Sequence, residues 1–199
     1  MFANRFTALV DACSLASALK RNLLLTLAEA EVFRLRWSEP ILAETERAIE
    51  RILSGRGMAD AAARAKRACV SMETAFQEAL VADFDALIPA CQGLPDQGDV
   101  HVLAAAVQAQ AAIIVTENLA HFPGQILTPR NLEAKSADAF IADTLSLHIG
   151  RGVAAVRTMR ERFRNPALNA EELLLKMEAE GMTETVNALR AHIQSLWKG

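Results

Sequence analysis

Cysteine is scarce in this chain: Cys13, Cys69 and Cys91 are the only three among 199 residues. An odd number with no metal-type spacing argues against a disulfide framework and against a cysteine zinc site. It fits reduced thiols in a cytoplasmic protein. Long apolar runs are missing too, since none approaches the roughly 18–20 residues that span a bilayer, and no membrane association is expected. The opening MFANRFTALVDACSL has no basic region followed by a long apolar stretch, and Asp11 interrupts it, so no signal peptide is expected. The chain contains no Gly-rich phosphate loop, no nucleophilic serine elbow and no Cys-x-x-Cys pair. Internal repeats and low-complexity linkers are absent as well. Nor is there an excess of positive charge: 21 Lys and Arg face 24 Asp and Glu, for a net charge of −3. That balance excludes a protein that wraps nucleic acid through a broad basic surface. It leaves room for an enzyme that uses a local basic strip and a metal.

What is present is a globular composition, 52% hydrophobic and 23% charged, in a length that suits one domain with a small appendage. FTALVD (6–11) reads as a buried strand ending in an aspartate. A helix is expected from Ser14 to Glu31, with Leu19, Leu23, Leu24 and Leu27 at helical spacing. FRLRW (33–37) alternates as a strand does, and Ser38-Glu39-Pro40 opens the next helix with Ser38 as N-cap. Residues 58–79 form an alanine-rich helix, and 79–84 a short strand. A helix from Asp96 or Gln97 to Gln110 leads into AIIVT (112–116), the clearest strand, and QIL (125–127) is the candidate last one. From Ser136 onward the chain reads as helices, interrupted at Gly150-Arg-Gly152, with a capped helix in NAEELLLKMEAEGM and a last one over 183–197. Strands alternating with helices predict an α/β domain around a mostly parallel sheet, followed by a C-terminal helical extension.

In such a sheet, ligands collect beyond the carboxyl ends of the strands. Asp11 ends the first strand, and Thr116-Glu117-Asn118 ends AIIVT. Asp96 and Asp99 head the helix leading into that strand, and Glu44 lies two turns into the helix after the second. Four distant segments thus aim oxygen atoms at one place. Oxygen ligands without clustered His or Cys suit a hard cation, Mg²⁺ or Mn²⁺, which would offset the repulsion among the acids. Thr116 is placed to orient a ligand, and Asn118 supplies a neutral carbonyl oxygen. Each residue also has a purely structural alternative. Asp11 suits an Asx-turn, Asp96 and Asp99 suit helix capping, and Glu44 suits surface pairing with Arg47 or Arg51.

The order of LVDACSL, WSEPILAETERAI, LPDQGDVHVLAAA and IIVTENLAHFP resembles PIN-domain proteins of the VapC-like toxin group, over residues 6–130. The helical tail is similar to an extension in one branch of that group. The resemblance implies a three-layer PIN-like sandwich over 1–132, with the extension at 133–199 packed on it. It implies a Mg²⁺- or Mn²⁺-dependent endoribonuclease, neutralised by a cognate antitoxin and homodimeric. Carried over by position, Asp11, Glu44 and Asp99 are the metal-holding acids and Asp96 an auxiliary one. Asn118 stands where many members have a fourth aspartate. Cys13 replaces a more usual residue beside the first acid and receives no chemistry.

His101 and His121 are placed to touch a phosphate or metal-bound water, although lone histidines are more often structural. His148 and His192 have no partners near in sequence. Arg151, Arg157, Arg160, Arg162 and Arg164 form the densest basic run, suited to RNA phosphates, to an acidic partner or to a solvated face. The alternative to a nuclease is a catalytically inactive PIN scaffold that binds RNA or a protein partner.

Overall fold

A computed structural model describes residues 6–164 and 166–197. In chain order the first elements are β1 (Thr7–Val10), α1 (Ala12–Ala16), α2 (Ala18–Glu29), β2 (Arg34–Ser38) and α3 (Glu39–Gly55). Next come α4 (Ala61–Ala75), β3 (Leu80–Val81), α5 (Val100–Gln108), β4 (Ile113–Val115), α6 (Gly124–Leu127) and β5 (Glu133–Lys135). The chain ends in α7 (Ala137–Leu147), α8 (Ile149–Arg162), α9 (Ala170–Ala179), α10 (Thr183–Arg190) and α11 (Ile193–Leu196). It divides into two compact units. One comprises residues 6–17 and 34–136; the other joins residues 18–33 to the segment from 137 onward.

The first unit is an α/β sandwich around a five-stranded sheet of order β3-β2-β1-β4-β5, in which every pairing is parallel. Ala8, Leu9 and Val10 of β1 are fully buried, as are Ile114 and Val115 of β4 and Trp37 of β2. Continuous burial is what a central parallel strand requires, because both faces are covered. Helix α5 is apolar on all sides, with Val102 to Ala106 wholly inaccessible, so it lies inside the unit rather than on its surface. Helix α3 buries Ile41, Leu42, Thr45 and Ile49 on one stripe, and Thr45 returns its hydroxyl to the Ile41 carbonyl.

The sheet departs from expectation at its edge. QIL, read as the last strand, is helix α6, and β5 is the polar Glu-Ala-Lys of 133–135. Extended Pro123 offers its carbonyl to the N–H groups of Ile126 and Leu127 and so starts a helical turn there. An edge strand this short and this exposed carries no apolar alternation to read. The segment expected to be one helix from Ser14 is two: Asp11 caps α1, which starts two residues earlier at Ala12, and extended Ser17 ends it before α2. Likewise Gln97–Asp99 is a 3₁₀ turn, so α5 begins only at Val100.

In the second unit the expected break at Gly150-Arg-Gly152 lies instead at His148, and both glycines are inside α8. Gly152 is there for packing: a Cβ would sit 2.6 Å from Leu145 Cδ2 of α7. Phe33 meets Phe140 edge to face at 4.9 Å. Helix α9 has a complete capping box, Asn169 with Glu172, and Gly181 follows it at φ +78°. The last helix expected over 183–197 is divided into α10 and α11 at Ala191–His192.

Candidate metal centre

Strand order reverses between β1 and β4, since the chain builds β2 and β3 on one side of β1 and β4 and β5 on the other. At such a point the connections leaving the two strands part in opposite directions and open a crevice at their carboxyl ends. Asp11 follows β1 there, with its N–H on the Val115 carbonyl, and Thr116 follows β4, with its N–H on the Lys135 carbonyl.

Asp11 is 4% exposed. Its Oδ1 accepts the Ala12 N–H at 2.7 Å, and its Oδ2 accepts the Thr116 hydroxyl at 2.7 Å and the Cys13 thiol at 3.0 Å. The Cys13 sulfur also accepts the Glu117 N–H at 3.1 Å, which ties the loop after β4 to the start of α1. Burial, reinforced by the Asp11 charge, pushes the thiol up to about 11. Cys13 is therefore a protonated donor to the carboxylate, a role the sequence reading did not give it. Thr116 is fully buried and takes the Asn118 N–H on its hydroxyl at 3.1 Å.

Asp96 and Asp99 meet His121. Asp99 Oδ2 lies 2.7 Å from His121 Nδ1, and Asp96 Oδ2 lies 3.7 Å from the same nitrogen. One ligand atom from each of the three residues falls within 4.8 Å of the others. Asp96 also caps the 3₁₀ turn by accepting the Gly98 N–H at 2.8 Å. Asp99 is raised above the usual carboxylate range, first by burial and further by the charges of Asp11 and Asp96, while the His121 hydrogen bond opposes the rise. Asp11 is thus close enough for its charge to act on Asp99.

Glu44 lies 3.3 Å from His101 Nε2 and 3.9 Å from Arg47, so it reaches the first turn of α5 while keeping the surface neighbour expected of it. Asn118 is different. Its side chain is exposed, and only its backbone joins the network. His121 was not distinguished from His101 in the sequence, because nothing in the spacing of TENLAHFP announces that its ring turns back onto Asp99. Its place in the 3₁₀ turn directly after β4 is the one signal available.

The donors fit a divalent cation. Among the described residues, no Lys or Arg pairs with Asp11, Asp96 or Asp99, and the one basic side chain that meets any of them is His121, at Asp96 and Asp99. The Ser38 hydroxyl at the end of β2 and the His101 Nδ1 are buried without a hydrogen-bond partner among the described residues, and His101 Nε2 has only Glu44 nearby, at 3.3 Å. Carboxylates in surplus, at a wall of unused polar atoms, are what a cation and its bound water would satisfy. A single imidazole among oxygens is compatible with Mn²⁺ as well as Mg²⁺.

The family model described as "PIN domain" matches residues 7–120, and the one described as "VapC50 C-terminal domain" matches residues 137–191. A curated protein of Mycobacterium tuberculosis (strain ATCC 25618 / H37Rv), "Putative ribonuclease VapC50", is 40% identical over 76 residues. That stretch is 38% of this chain and 45% of that protein, so the likeness spans less than half of the relative's length. No solved structure gives a significant match.

Proposed function

The chain belongs to the PIN-domain family, and from that premise we propose that it is a Mg²⁺- or Mn²⁺-dependent endoribonuclease of the toxin type. The observation that carries this reading is the cluster of Asp96, Asp99 and His121, whose ligand atoms lie within 4.8 Å of one another and whose two acids pair with no Lys or Arg among the described residues. Asp11, Glu44 and Asp99 are the acids assigned to hold the metal, with Asp96 auxiliary. Asn118 is assigned an assisting role from the exposed rim. When bound, the cation would supply an activated water and offset charge on the phosphodiester.

The chain's own residues do the positioning. Thr116, Cys13 and the Ala12 N–H together fix the Asp11 carboxylate, so its orientation is set before any ligand arrives. His121 does the same for Asp99. The likeness to a protein named a putative ribonuclease supports RNA as the substrate; the antitoxin partner and the homodimer rest on the resemblance of the motifs alone. Three free thiols support a cytoplasmic setting.

Labelled RNA and DNA incubated with the full chain and Mn²⁺ test the reading. RNA is expected to be cut, and chelation or either Asp11→Asn or Asp99→Asn should reduce cleavage at least ~100-fold without loss of the folded circular-dichroism signal. Undiminished cleavage in both variants would overturn the mechanism. Calorimetry with Mn²⁺ separates the inactive-scaffold reading, which requires no carboxylate-dependent metal binding.

A further inference from the structure

In the helical unit, among residues that the metal centre does not use, a concavity of about 370 Å³ opens beside α8 and α11. Small-ligand sites begin at about this size. Ile149, Val153 and Ala154 give it an apolar wall, and Arg157, His192 and Ser195 give it three polar side chains. None of those three makes a side-chain hydrogen bond or ion pair. Two other arginines of the same helix are engaged. Arg160 of the same helix donates to the Leu196 and Leu168 carbonyls, and Arg162 makes a two-point bridge to Glu29. Arg157 is a guanidinium of α8 left open to a cavity, and among the described residues no carboxylate lines that cavity to neutralise it.

A half-buried guanidinium with no counter-charge favours an anion, and its fork of N–H groups suits the oxygens of a phosphate. The first turn of α8, through Ile149 and Gly150, also lines the concavity, and the amino-terminal end of a helix adds to the preference for negative charge. Three separate donors match the several oxygens of a phosphate better than the two of a carboxylate. The apolar wall has room for an organic group attached to that phosphate. We propose that this concavity is a phosphate-ester site that binds a nucleotide, whether free or as a unit of an RNA strand. It is independent of the nuclease reading, because none of its residues belongs to the metal centre.

Two variants of the full chain probe it in different ways. Arg157→Gln removes the charge and keeps the shape. Gly150→Leu fills the space and keeps the charge; a Cβ at Gly150 meets nothing within 4 Å, and leucine favours the helix over glycine. Isotope-labelled protein in chelator, so that no RNA is cut, is titrated with adenosine monophosphate, inorganic phosphate, adenosine and a short single-stranded RNA. Adenosine monophosphate and phosphate are expected to shift amide signals of residues 149–157 and 192–195, and adenosine alone is not. Arg157→Gln should weaken binding about tenfold or more, the loss of one charge-assisted hydrogen bond, and Gly150→Leu should abolish it. RNA moving the same signals identifies a strand as the source; adenosine monophosphate alone moving them identifies a free nucleotide. No shift at about 10 mM overturns the proposal, as does equal binding of adenosine or unchanged binding in both variants. A capped acidic peptide that moves these signals where adenosine monophosphate does not would overturn it in favour of a protein partner.

Discussion

Asp99 shows the cost of bringing acids together. Burial raises its pKa, the Asp11 and Asp96 charges add to the rise, and His121 opposes it. Between the unfolded and folded values the native chain holds a proton that the unfolded chain has released. Stability therefore falls as pH rises through that interval, and the penalty is complete above it. Asp99→Asn removes the charge and leaves an amide against His121. In metal-free buffer the variant should melt above the wild type at pH values where Asp99 is ionised, and the gap should close on acidification. Thermal melts across the acid to neutral range check this; a gap that widens toward acid would contradict it. The local pattern Asp-x-x-Asp at a helix head was legible, and so were both of its meanings, capping and ligation. Asp96 does cap a turn, while Asp99 occupies the N-cap position of α5 and makes no capping hydrogen bond, its carboxylate engaging His121 instead.

At the scale of elements, the helices with a continuous apolar stripe were readable because 3.6-residue periodicity is local. The α3 and α9 assignments, with Pro40 in the first turn and the Asn169 cap, follow from such signals. Where packing decides, periodicity fails: α8 runs through two glycines, and at Gly152 the close approach of Leu145 Cδ2 of α7 favours the residue without a Cβ. The start of α10 is another case. Its N-cap position, Met182, offers no side-chain acceptor. Asp138 of α7, 7% exposed, supplies one instead, accepting the Glu184 and Thr185 N–H groups at 2.9 and 2.8 Å. Asp138→Ala strands the buried Thr185 donor and the part-buried Glu184 donor and should cost about 2 kcal/mol, seen as a lower denaturation midpoint with an unchanged slope. Asp138→Asn, which keeps one acceptor oxygen, should lose less.

At the scale of the whole molecule, the proposed metal binding is a local event. All assigned ligands lie within residues 6–17 and 34–136. Saturating Mn²⁺ at about 100 times its dissociation constant adds ~2.7 kcal/mol to whatever unfolds with the site. Hydrogen exchange is therefore expected to slow at residues 10–14, 96–102 and 115–121, with helices α7–α11 much less affected. Equal slowing in both units would contradict this localisation.

The sequence by itself determined the alternation of strands and helices, the parallel sheet and the acids at segment ends, because hydrophobic period and turn chemistry act over a few residues. It also carried the order of motifs by which the family was recognised. Only the tertiary structure decided which polar groups meet. His121 reaching Asp99, Cys13 bridging Asp11 and Glu117, and Asp138 capping a distant helix all join residues between 2 and 104 positions apart. Such pairs leave no periodic trace in the chain. They are set by where the sheet reverses its order and by how closely the helices approach, and those are properties of the packed fold.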